Sequence, residues 1–241
     1  MTPAAFLNNA ITVSTTDAVK IAGFTVSSQS NSGNGISTTV PNAQLDIINN
    51  CIVGNTGYGI YYAPTSTVPT PSHYLNVTNN TISNNGSKGL YIGGGLYGLG
   101  IVTVTNNIFS GNASFGIQVV NSNGVSGSKN IFYLNNDSNP SVQTSGFTPT
   151  PASLIGTNPL FADNISDFTL QVVSPARFVG TMSASYLNPD GTQSDLGAYG
   201  GPGAAAFWPY GYGPIVTSIF SAQQRVTQGA SITINATATV R

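Results

Sequence analysis

Three stretches of the chain carry the same pattern, and that repetition limits the fold more than any other feature. Leu45–Ile60, Leu75–Leu90 and Val102–Ile117 each read apolar-x-apolar-x-Asn-Asn-x-apolar-x-x-Asn-x-x-x-Gly-apolar. Weaker copies flank them, at Val19–Val26 with Gly35-Ile36 and at Val125–Phe132 with Asn135. The repeat recurs about every 24 to 30 residues, and the extra residues fall in Pro/Ser/Thr-rich or Gly-rich inserts. Within each copy the apolar residues alternate with period two, which marks short strands. One such unit has too few apolar residues to bury its own face. Stacked units share a core, with successive rungs about 4.8 Å apart as in any paired strands.

Alternation predicts which side chains point inward: Leu45, Ile47, Ile52 and Ile60 in one rung, then Leu75, Val77, Ile82, Leu90 and Ile92, then Val102, Val104, Phe109, Ile117 and Val119. Ile52, Ile82 and Phe109 are expected one above another. Asn enters the left-handed backbone region more readily than any other residue except Gly, and its amide can bond to an Asn above and below. Asn49/Asn79/Asn106, Asn50/Asn80/Asn107 and Asn55/Asn85/Asn112 are therefore expected to form ladders at the bends. Gly59, Gly89 and Gly116 mark where the chain turns into the next strand.

Composition narrows the function. Only 5% of the residues are charged, the formal net charge is -1, and all seven acids are aspartate, against about 25% charged in an ordinary domain. Six scattered Lys and Arg residues cannot supply the clustered cations that nucleic-acid phosphates require. No apolar run approaches the roughly 20 residues of a membrane span. The single cysteine, Cys51, cannot form an intrachain disulfide.

The repeats resemble those of right-handed parallel β-helix proteins. The later order Asn158-Pro-Leu-Phe-Ala-Asp163, Asp167-Phe-Thr-Leu170, Ser174-Pro-Ala176 and Ser194-Asp-Leu-Gly-Ala-Tyr-Gly-Gly-Pro-Gly203 resembles the closing portion of bacterial secreted β-helix proteins of the choice-of-anchor type. The resemblance implies an all-β, single-stranded right-handed parallel β-helix (a solenoid) over residues 1–206, with seven or eight rungs. Residues 207–241 then read as a linker and strand pair. Phe207–Pro214 could plug the open end, and Ile215–Phe220 and Ala230–Val240 resemble the first strands of an immunoglobulin-like module or an intermolecular strand-exchange tail. An immunoglobulin-like fold needs about seven strands. With no signal-peptide pattern after Met1-Thr2-Pro3, the chain reads either as cytoplasmic or as an excerpt or mature form of a longer protein, and the truncated strand pair favours an excerpt.

Candidate chemical groups are sparse. Parallel β-helices include pectin-cleaving lyases and hydrolases, and sugar hydrolysis needs two carboxyls about 5 to 9 Å apart. Among outward positions of the clear repeats only Asp46 is acidic, and its stacked neighbours Asn76 and Thr103 can satisfy it as a surface group. His73 stands in an insert with no nucleophile beside it. Cys51 aligns with Thr81 and Ile108 and reads as a structural thiol. Asp190 and Asp195 are weak calcium candidates, since hard cations take carboxylates; turn-capping explains them equally. Seven Asn-x-Ser/Thr sites (Asn76, Asn79, Asn85, Asn112, Asn136, Asn164 and Asn235) occur in a chain rich in these residues. Tyr58, Tyr61, Tyr62, Tyr91 and Phe115 fall near one lateral face. They suit carbohydrate binding, because aromatic rings offer large contact area; cross-rung stacking or a subunit contact is the other use of such a column.

The residues therefore favour a non-enzymatic extracellular or cell-surface structural protein, without a catalytic residue or required cofactor, that self-associates into an oligomer or filament. Rods with open ends add head to tail, and free strands can be donated to a neighbour. A carbohydrate-binding adhesin on Tyr58, Tyr61, Tyr91 and Phe115 is the alternative, with polysaccharide as partner. A polysaccharide lyase or hydrolase is the second alternative.

Overall fold

The computed structural model describes residues 9–28, 33–64, 74–93, 101–120, 124–136, 139 and 143–208, with the backbone alone of 215–220 and 235–239. Short strands follow one another in threes. They are β1 (Ile11–Thr12), β2 (Ala18–Ala22) and β3 (Thr25–Val26); β4 (Ile36–Thr38), β5 (Gln44–Ile48) and β6 (Cys51–Val53); β7 (Ile60–Tyr62), β8 (Tyr74–Thr78) and β9 (Thr81–Ser83). Next come β10 (Leu90–Ile92), β11 (Ile101–Thr105) and β12 (Ile108–Ser110); β13 (Ile117–Val119), β14 (Val125–Ser128) and β15 (Ile131–Tyr133); and finally β16 (Thr144–Ser145) and β17 (Leu154–Ile155). Every third strand pairs in parallel, giving a first sheet β1-β4-β7-β10-β13-β16, a second β2-β5-β8-β11-β14 and a third β3-β6-β9-β12-β15-β17. The chain is a parallel β-solenoid. Among the described residues its sheets are six, five and six strands deep, short of seven or eight rungs, because the segment after Ile155 leaves the coil.

Register and burial follow the alternation. Ile52, Ile82, Phe109 and Phe132 are partners in the third sheet, and the rings of Phe109 and Phe132 stack 5.2 Å apart. Leu45, Leu75 and Val102 align in the second sheet, and Ile60, Leu90 and Ile117 in the first. All are buried in one continuous core. Tyr62 belongs to this core and not to the lateral face: strand alternation turns it inward from Tyr61, and its Oη donates to the Ala43 carbonyl at 2.9 Å.

Buried Asn side chains tie the bends together. The Asn50 backbone N–H and Nδ2 both donate to Asn80 Oδ1, at 2.9 and 3.0 Å. Asn80 grips Asn107 in the same way at 2.8 and 3.1 Å, and Asn107 grips Asn130 at 2.9 and 3.1 Å. A second column runs Asn55, Asn85, Asn112, Asn135 and ends on Gln143. Each amide uses acceptor and donor at once, so every rung's bend is satisfied by the next. Asp at these positions would lose the donor and bury a charge.

Asn49, Asn79 and Asn106 sit in the left-handed region with φ of 53°, 52° and 59°, but they do not build a third ladder of this kind. One bond links them, Asn106 to Asn79 at 3.4 Å. Their side chains face outward and hold a later segment instead. Asn49 Nδ2 donates to the Ala198 and Gly200 carbonyls, Asn79 Nδ2 to the Asp195 carbonyl, and Asn106 Oδ1 accepts from the Thr181 N–H. Gly59 and Gly89 are required by close approach rather than by a turn: a Cβ on Gly59 would lie 2.6 Å from the Gly89 carbonyl oxygen, and one on Gly89 2.7 Å from that of Gly116.

The later segment is a strap. After the antiparallel pair β18 (Phe161–Asp163) and β19 (Asp167–Leu170), it runs back toward the first rungs and ends in the short helix α1 (Ala204–Phe207). It covers the outer face of the third sheet, where Cys51, Ile108 and Ile131 pack against Phe161, Phe168, Ala176, Leu196 and Ala198. Residues 158–206, expected among the rungs, therefore form a layer outside them. Phe207 lies on Gly23 and Trp208 Nε1 donates to the Asn49 carbonyl at 2.8 Å. These two residues pack on the flank and do not plug an end; 209–214 lie outside the described residues. Strands β20 (Ile215–Phe220) and β21 (Asn235–Thr239) pair antiparallel. Among the described residues no helix is long and apolar enough to cross a membrane.

Replacing Asn107 with Ala removes the acceptor for two Asn80 donors and strips Val77 of its side-chain donor. Unpaired buried groups cost roughly 1–3 kcal/mol each, so Asn107→Ala should destabilise by about 3 kcal/mol. Thr103→Ala, on the outer face of the second sheet, should cost less than about 1 kcal/mol. Denaturant midpoints of the two variants check this; equal midpoints would contradict the ladder.

Candidate functional site

The three sheets expose different chemistry. On the second, the outward column Lys20, Asp46, Asn76, Thr103 follows the strand register. Asp46 accepts from Asn76 Nδ2 at 3.0 Å and from the Tyr74 hydroxyl at 3.3 Å, and Thr103 donates to Asn76 Oδ1 at 3.1 Å. The one outward acid is thus part of a cross-rung polar chain. The third sheet lies under the strap.

The first sheet carries the aromatic groups. Register places Tyr61 beside Tyr91 and Tyr91 beside Gln118, with Ser37 on the preceding rung. The residues just before the close-packed glycines make a second column, Asn34, Tyr58, Lys88, Phe115. The rings of Tyr61 and Tyr91 are stacked, with centroids 5.2 Å apart and planes within 6°. Tyr58 lies 5.2 Å from Tyr61 and 5.4 Å from Tyr91, tilted by 48° and 46°. The three half-exposed rings form a corner rather than a flat plate. Tyr91 folds over Gly93, where a Cβ would come within 2.6 Å of its ring. Burial, with Tyr91 and Tyr58 nearby, raises the Tyr61 phenol.

Phe115 belongs to the same column but not to the ring cluster. Lys88 stands between it and Tyr58, with Nζ 5.2 Å from the Tyr58 ring centroid. Sequence reading passed over Lys88. Its alignment with Tyr58 and Phe115, immediately before the Gly column, was the available signal.

The other candidate residues serve the strap and its turns. Asp190 Oδ1 accepts from the Thr192 N–H and hydroxyl at 3.0 and 2.6 Å, bonds that hold its carboxyl below the usual range. Asp195 is buried; its Oδ1 accepts from the Phe178 N–H at 2.8 Å, and Arg177 Nε stands 3.9 Å from Oδ2. Burial raises its carboxyl, opposed by those partners and Asn188. Among the described residues no three His, Cys or Asp side chains gather as a metal site would require. His73 lies outside the described residues. A cleft of about 560 Å³ lies between the third sheet's bends and β18, beside Asn84, Tyr133 and Asp163. The Asp163 oxygens there take the Ile165 N–H and the Ser166 hydroxyl. A second cleft, of about 290 Å³, lies between the second sheet and the strap, beside Lys20, Asn76 and Tyr186.

A family model described as "Right handed beta helix region" matches residues 34–168, more than half of the chain and most of the coil. No curated protein and no solved structure matches the chain.

Cys51 has no access to solvent chemistry. It is 2% exposed beneath the strap, and burial pushes its thiol from 9.0 up to about 12, with Tyr199 beside it. At pH 8 the thiolate fraction in the folded protein is about one in ten thousand. Native protein should therefore resist Ellman's reagent and react at once in denaturant; rapid native reaction would show the strap detached. The unfolded chain releases this proton near 9.0 while the folded one holds it to about 12. The corresponding stability is complete below pH 9 and is lost as pH rises toward 12. The Tyr62 and Tyr199 phenols, raised chiefly by burial, act in the same direction. Melting temperature should fall across that window, and less steeply in Cys51→Ala.

Proposed function

The chain belongs to the right-handed β-helix family, and from that premise we propose that it is a non-enzymatic extracellular or cell-surface protein whose solenoid presents an aromatic face to carbohydrate. The observation that carries this reading is the half-exposed corner of Tyr58, Tyr61 and Tyr91. Three rings and their hydroxyls offer apolar surface and donors in one place, on side chains that lose little entropy when a ligand binds. Rung stacking fixes their spacing before any ligand arrives, so binding does not have to order them. The non-enzymatic part draws support from the acids: Asp46, Asp163, Asp190 and Asp195 are each engaged by neighbouring donors. The strap sequence supports placement with secreted β-helix proteins of the choice-of-anchor type, with 207–241 as the start of an immunoglobulin-like module or a strand-exchange tail.

A second reading is self-association into filaments. Strands β2 and β14 are the terminal strands of the second sheet. Terminal strands that share one repeat invite addition of another copy in the same register. Negative-stain microscopy of purified protein should then show rods of varying length, and uniform monomers at high concentration would overturn this reading.

The carbohydrate reading is tested by titrating oligosaccharides against the wild type and single Ala variants. Tyr58→Ala, which leaves the Tyr61–Tyr91 stack intact, and Tyr91→Ala should each weaken binding by about tenfold, near 1.4 kcal/mol. Tyr58→Ala should keep the wild-type melting temperature. Unchanged affinity in both variants would overturn the reading.

A further inference from the structure

We infer that the aromatic corner selects negatively charged saccharides and that Lys88 is the residue that selects them. The inference rests on the carbohydrate reading above and adds the charge of the ligand.

Lys88 is built into the site by the repeat. The pairings of Ile60 with Leu90 and of Leu90 with Ile117 set Tyr58, Lys88 and Phe115 one rung apart in a single column. Its backbone is fixed there, since the Lys88 carbonyl accepts from the Gly59 N–H at 3.0 Å. Its ammonium lies 5.2 Å from the Tyr58 centroid, a placement that a ring face favours over free solvent. The cation therefore stands at the same corner that Tyr58 forms with Tyr61 and Tyr91.

Among the described residues, the one ion pair is Arg177–Asp195 on the strap, so no described carboxylate neutralises Lys88. The other described cations lie elsewhere: Lys20 on β2, Lys129 at the bend before β15, and Arg177 on the strap. The polar residues flanking the corner on the first sheet, Asn34, Ser37 and Gln118, are uncharged. The corner thus combines three rings, their hydroxyls and one ammonium whose charge no described acid offsets. An ammonium facing a carboxylate or sulfate forms a charge-assisted bond stronger than one to a neutral hydroxyl. With few other charges on the protein, this one cation sets the sign of the local field.

The test uses the full chain with three probes of similar length: oligogalacturonate for carboxylate, a sulfated dextran oligosaccharide for sulfate, and an unmodified dextran oligosaccharide. Affinities are measured at low and physiological salt for wild type, Lys88→Gln and Lys88→Arg. Wild type should prefer at least one anionic probe over the neutral one by about tenfold at low salt, and that probe identifies which anion is recognised. Lys88→Gln should erase the preference and its salt dependence, and Lys88→Arg should restore both. Equal wild-type affinity for neutral and anionic probes, or a preference that survives Lys88→Gln, overturns the role of Lys88 and leaves the carbohydrate reading standing. Failure of all three probes to bind wild type overturns both.

Discussion

Turning a chain every few residues inside a compact rod leaves backbone groups at each bend without strand partners. In this protein a buried amide meets that need. Beyond the first rung each ladder Asn accepts from the backbone and side chain of the Asn before it, as Asn107 does from Asn80, and donates to a carbonyl of the preceding rung, as Asn107 does to Val77. The bond is made between like residues at one position of the repeat, so it selects a single register. A slip by one residue would turn the aliphatic side chains out and leave the amides without partners. The scarcity of charged residues fits this construction. Neutral amides, hydroxyls and glycines serve the buried bends, where an ionised group would require compensation.

The strap covers one face of the coil and leaves the others open. Ile108 and Ile131 point away from the inner core yet are fully buried, because Leu196, Ala198 and Phe161 cover them. The outward asparagines Asn49, Asn79 and Asn106 hold that cover in place. One lateral face is thereby removed from contact with ligands. A second is occupied by the polar chain through Asp46, Asn76 and Thr103. The first sheet, with its tyrosines and Lys88, combines apolar area with a charge that no described acid offsets.

The solenoid was legible because its determinants are local and repeated. Period-two alternation assigned the core, and recurring Asn placed the bends. The strap was not legible as a layer, since its partners lie far away in sequence: the Ala198 N–H donates to the Thr81 hydroxyl oxygen and Trp208 Nε1 to the Asn49 carbonyl. The apolar outward positions Ile108 and Ile131 were the trace it left. The same distance explains Asn49, Asn79 and Asn106, whose backbone role followed from residue type while their side-chain partners depended on tertiary packing. Tyr62 shows the reverse case: residue type grouped it with the lateral aromatics, although strict alternation from Tyr61 turns it into the core. At the candidate site, the tyrosines stood out by type, and Lys88 required the rung alignment to bring it beside them.

Amide hydrogen exchange resolved to single residues tests the ladder most directly. The backbone N–H groups of Asn50, Asn80 and Asn107 lie at bends, outside any strand, and donate to side-chain oxygens of the next rung. Exchange at these three sites should be as slow as within β8 and β11 and should quicken together when Asn107 is replaced by Ala. Rapid, loop-like exchange at the bends of the unaltered protein, with protection confined to the strands, would contradict the account.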